Sequence, residues 1–90
     1  SLQGIKENQM QQKQELLAFP NPSDGLITVE IPEEFINATI CVYDIYGRKI
    51  LSQTANSAIE NINLSDFPDS IYTIRIEGSW LQTKVILVKK

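Results

Sequence analysis

Ninety residues with a formal net charge of −3 and 42% hydrophobic side chains leave room for one domain with one modest core and no second domain. His is absent and Cys41 stands alone, which removes the usual general base at neutral pH, thiolate metal sites and any disulfide within the chain. No apolar run approaches the roughly 18 residues of a membrane span, and an acidic body from Pro20 to Ser70 (−6) followed by a basic end from Ile71 (+3) argues against nucleic acid as a partner.

Residues 1–15 are rich in Gln and Asn, with only Leu2, Ile5 and Met10 apolar, too little to offset the entropy of ordering. They read as a polar linker to an upstream partner, with a frayed helix as the lesser alternative because Gln, Lys and Glu are good helix formers, and the β-domain is expected over 16–90. A chain that opens on Ser1 is expected to be a piece of something longer. Leu16 to Phe19 supplies a short first strand, stopped by Pro20 and Pro22, which lack the N–H that a central ladder needs. Phe19-Pro20-Asn21-Pro22-Ser23-Asp24-Gly25 is expected to be a rigid turn. It delivers the chain into Leu26 to Ile31, with Ile27, Val29 and Ile31 inward. Phe35, in the polar connection that follows, is expected to cap one end of the core.

Ile40 and Val42 sit two apart, and Ile50 answers them beyond Asp44-Ile45-Tyr46-Gly47. Asp can bond its own backbone two residues on and Gly47 can take positive φ, so this stretch predicts a hairpin. Cys41 within it is expected to be a small strand residue rather than a reactive thiol. Ser52 to Ser57 reads as a polar turn and Ala58 to Leu64 as an irregular strand. Leu64 and Phe67 should pin the loop after it. Ile71 to Glu77 alternates strictly, with Tyr72, Ile74 and Ile76 on one face. After Gly78 and Ser79, a long last strand from Trp80 places Leu81, Val85 and Leu87 inward. Its lysines should discourage stray edge pairing. Trp80 is expected to cover the end of the core, with a ligand platform as the alternative.

The strands, closely spaced and separated by turn signals, predict an all-β antiparallel sandwich of about seven strands. Its expected core is Ile27, Val29, Ile31, Ile40, Val42, Ile50, Leu64, Tyr72, Ile74, Ile76, Val85 and Leu87. The glycines are scattered one per turn, so no phosphate-binding loop is spelled out. The loop acids Glu33, Glu34, Asp66 and Asp69 read as solvated rather than as a calcium site. No catalytic residue, cofactor or metal site is expected, and the chain reads as a non-enzyme.

Four landmarks stand in order: Phe19-Pro20-Asn21-Pro22 followed by Gly25; Val42-Tyr43-Asp44 with Gly47-Arg48; Leu64-Ser65 with Phe67-Pro68 before Ile71-Tyr72; and an apolar last strand ending Lys89-Lys90. Over Leu17 to Lys90 this ordered set resembles the type A C-terminal sorting domain of the type IX (Por) secretion system of Bacteroidetes. The resemblance implies an immunoglobulin-like sandwich without catalytic residues. It also implies an upstream cargo that passes through the periplasm, an outer-membrane secretion translocon that recognises the domain, and a surface sortase that removes it, leaving cargo secreted or on the cell surface. Ser70 stands where the family usually has Gly, so the turn there should be of another type or mildly strained.

Candidate recognition residues are Pro20, Asn21, Pro22, Gly25, Asp44, Gly47 and the terminal pair Lys89 and Lys90, taken as exposed. All but the lysines are also turn formers, so folding alone would account for them. A rival reading is a small adhesion or carbohydrate-binding sandwich, which an aromatic platform around Trp80, Tyr46 or Tyr43 would favour.

Overall fold

The computed structural model describes residues 16–89, so the linker expected over residues 1–15 and the terminal Lys90 lie outside the described residues. Seven strands follow in order: β1 (Leu17–Phe19), β2 (Leu26–Glu30), β3 (Thr39–Tyr43), β4 (Lys49–Thr54), β5 (Ile59–Asn63), β6 (Ser70–Ile76) and β7 (Gln82–Leu87). One 3-10 turn, Glu33–Phe35, joins β2 to β3. The strands form two antiparallel sheets, β1-β2-β5 and β4-β3-β6-β7, packed as a β-sandwich. In the constant-type immunoglobulin order the fourth strand flanks the fifth; here β4 flanks β3.

The apolar faces of β2, β3, β5, β6 and β7 supply the buried core, and β1 and β4 add only the partly buried Ala18, Ile50 and Leu51. β2 and β5 contribute Ile27, Val29 and Ile62, extended by Ile31 and Leu64, against Ile40, Val42, Tyr72, Ile74, Ile76, Val85 and Leu87 of the larger sheet. Each such side chain contributes about 1.5–3 kcal/mol when fully buried. Leu81 is buried and Phe35 packs half-buried against the core, both as expected. Tyr72 lies in the core while its hydroxyl donates to the Pro68 carbonyl at 2.5 Å, four residues back. That bond ties the β5–β6 loop to the start of β6 in the manner of a tyrosine corner.

Several expectations are corrected. Ile50 is only half-buried, because the register slips between Val42 and Tyr43 and leaves Ile50 as the extra residue of a bulge. Leu16, Ala55 and Ile62 join the core instead. Ser52 to Ser57 is not all turn: Ser52 pairs with Cys41 and Thr54 with Thr39, since short hydroxyl side chains sit comfortably on the outer face of a paired strand. β5 is not irregular, and its five residues pair without a break against β2. Trp80 covers no core; it is 90% exposed. Ser70 needs no glycine conformation, because it starts β6 paired with Leu87, and Asn37 is the one non-glycine residue with positive φ among the described residues.

The registers also orient the chain. Leu26 pairs with Asn63, Ser70 with Leu87, and Tyr43 with Thr73, so the loops before β2, after β3 and after β5 and the end of β7 all emerge at one end, here the C-terminal pole. Leu16, whose amide donates to Gln82 O at 3.3 Å, enters at the opposite end beside the β6–β7 turn, here the entry pole.

Candidate functional site

Segments spread from Phe19 to Lys89 meet at the C-terminal pole, and each is held there by identifiable bonds. Asn21 lies along the outer edge of β7 and substitutes for a strand: its Nδ2 donates to Lys84 O at 3.1 Å and its Oδ1 accepts from the Ile86 amide at 2.9 Å. Ser23 continues the pairing with its amide on Ile86 O and its carbonyl accepting from Val88 N, both at 2.8 Å. With Leu16 on Gln82, residues 16–23 close the edge that the lysines of β7 were expected to guard. Pro20 and Pro22, each preceded by a cis peptide bond, stand exposed and line a shallow depression with Asp24, Val88 and Lys89.

Ser23 was not singled out by its sequence, yet it is buried and its hydroxyl serves twice, donating to Leu26 O and accepting from Gly25 N, both at 3.0 Å. A Ser two residues before a Gly after Pro is the signature of such a hydroxyl-bonded turn and could have identified it. Gly25 adopts φ +144°, and a Cβ there would lie 3.1 Å from Ser65 Cβ. Its carbonyl accepts from Leu64 N at 2.7 Å, joining the first turn to the third landmark.

Asp44 organises the second turn. Its Oδ1 accepts from the amides of Tyr46 and Arg48, both at 2.9 Å, and its Oδ2 pairs with Arg48 Nε at 2.8 Å. Partial burial opposes the charge, but these hydrogen bonds and the guanidinium outweigh it and hold the carboxyl below its ordinary range. Gly47 closes the turn at φ +81°, with open space around it. The side chains this turn presents are Ile45, 59% exposed, and Tyr46, 76% exposed with the Arg48 guanidinium 5.3 Å from its ring centre.

Lys89 departs from expectation. It is not a free terminal charge but half-buried: its amide donates to Asp69 Oδ1 at 3.1 Å, and its ammonium donates to the carbonyls of Ser65, at 3.1 Å, and Phe67. The unpaired carbonyls of the β5–β6 loop draw the cation in. Phe67 packs tilted on Tyr72 with ring centres 6.4 Å apart. Burial, with the charges of Asp44 and Asp69 behind it, pushes the Tyr72 hydroxyl above its usual range.

Seven of the eight sequence-selected residues thus gather at one pole, and the eighth, Lys90, follows Lys89 outside the described residues. Asn21, Gly25, Asp44, Gly47 and Lys89 hold the surface in shape. Pro20, Pro22, Ile45 and Tyr46 face outward from it. The arrangement sets exposed apolar and aromatic side chains on a hydrogen-bonded frame, a geometry suited to docking.

A family model described as the secretion system C-terminal sorting domain matches residues 17–90. No curated protein matches the chain.

Proposed function

The chain belongs to the family of type IX secretion system C-terminal sorting domains, and from that premise we propose that it directs an upstream cargo across the outer membrane by docking its C-terminal pole on the secretion translocon. A sorting domain acts by being bound, not by turnover. Residues 1–15 serve as the linker to cargo and residues 16–90 as the address, and a surface sortase severs the two after passage from the periplasm, leaving cargo at the surface or released.

The observation that supports this reading is the polarity of the fold. Landmarks scattered over the sequence assemble at one end, while the chain enters at the other, so a receptor can hold the C-terminal pole with the cargo directed away from it. A need for turns alone would be met equally well with the turn motifs distributed over both poles.

The test is a folded reporter fused ahead of residues 1–90 and expressed in a bacterium with a type IX system. The reporter should reach the medium or cell surface with the fused residues removed. Retention in the periplasm, with the domain folded, would contradict the role.

A further inference from the structure

We propose that the outer face of the four-stranded sheet, beside the β6–β7 turn, binds an acidic saccharide, with a sugar ring lying on the Trp80 indole and its acid group meeting Arg75 and Lys84. Trp80 does not pack on the core and stands 90% exposed at the rim of a shallow depression that it lines with Arg75, Gly78, Ser79 and Gln82. Solvating a whole indole is unfavourable, and the positive φ of Gly78, +80°, shapes the turn that carries it.

Charge on this face opposes the net charge of the molecule. Two rows of side chains cross the sheet side by side: Lys49, Tyr43, Thr73 and Lys84, then Ser52, Cys41, Arg75 and Gln82. Neither row contains a carboxylate. Arg48 with Asp44 forms the single ion pair among the described residues, so Lys49, Arg75 and Lys84 have no ionic partner there. Arg75 lies over the Tyr43 ring, 5.6 Å from its centre, which holds the guanidinium on the sheet beside the indole. Lys84, two residues after Gln82 on the same face, is its diagonal neighbour.

The chemistry of the patch selects the ligand class. One flat apolar surface surrounded by an amide and a guanidinium suits the C–H face of a sugar ring with its polar rim, and the cations suit a carboxylate or phosphate on that ring. An extended acidic peptide fits less well, because strand addition needs a free edge and Leu16, Asn21 and Ser23 occupy the edge of β7.

The chain has one tryptophan, so its fluorescence reports this position alone. Titrating the full chain with oligogalacturonate should give a saturable change in emission that weakens with added salt. Maltooligosaccharide and inorganic phosphate, each with half of the chemistry, should bind at least tenfold more weakly. Arg75→Gln should weaken oligogalacturonate binding at least tenfold without lowering the melting temperature. In affinity electrophoresis through polygalacturonate, Trp80→Ala should lose the retardation that Tyr46→Ser, at the other pole, keeps. Equal binding of the neutral sugar, equal binding of phosphate alone, or no saturable response would each overturn the proposal. Because the export contacts proposed above lie at the C-terminal pole, failure here leaves that reading intact, and failure of export leaves this one intact.

Discussion

Gly25 and Gly47 both adopt positive φ, but only Gly25 is also crowded, by the backbone and Cβ of Ser65. Gly25→Ala combines conformational strain with a clash that the loop cannot easily relieve and should cost about 2–4 kcal/mol. Gly47→Ala meets only the strain and should cost about 1–2 kcal/mol. Urea denaturation of both variants checks the order, and equal losses would contradict it. Asp44 makes a prediction in pH. Its folded pKa is depressed, so the stability it contributes is present above its unfolded pKa, about 3.9, and is lost as pH falls through the folded value. Thermal melts between pH 6 and 2 should therefore show a shallower acid loss for Asp44→Asn than for the parent. Tyr72 separates two contributions: Tyr72→Phe removes only the bond to Pro68 and should cost about 0.5–1.5 kcal/mol, whereas Tyr72→Ala also empties core volume and should cost about 3–5 kcal/mol.

Among the elements, β2 and β6 were legible because buried and outward residues alternate along them, and β3 because its short apolar run Ile40-Cys41-Val42 leads into a turn signal. β4 and β5 were harder for a physical reason. Their outward residues, Ser52, Thr54, Asn61 and Asn63, are turn formers whose strand state is imposed by their partners in β3 and β2. Ile50 misled because a bulge breaks the alternation that marked it as core. Trp80 misled because size and apolarity say nothing about which side of a turn a residue faces. The closed edge of β7 was illegible altogether, since an Asn standing in for a strand 63 and 65 residues away leaves no periodic trace. It carries its own prediction. Asn21→Ala should speed hydrogen exchange at the Ile86 amide, which Asn21 alone covers, while amides of the β6–β7 ladder stay protected. Unchanged exchange at Ile86 would mean that Asn21 does not hold that edge.

At the scale of the whole molecule, the domain has an entry pole, a C-terminal pole and, on the larger sheet, an outer face carrying Lys49, Arg75 and Lys84. The landmarks of the candidate site could be read from sequence, but their convergence could not, because it depends on strand order. Most of the marked residues are internal supports, so their substitution confuses lost folding with lost recognition. Lys89→Glu illustrates this: it would set a carboxylate against the Ser65 and Phe67 carbonyls and should lower the melting temperature whether or not a receptor reads it. The outward side chains avoid that confusion. The most direct measurement is export of a fused reporter carrying Ile45→Ser with Tyr46→Ser, run beside Trp80→Ala and beside melts of each purified domain. The double variant should lose most export with a melting temperature close to the parent's, while Trp80→Ala exports normally. Full export of the double variant, or equal loss from both poles, would contradict recognition at the C-terminal pole.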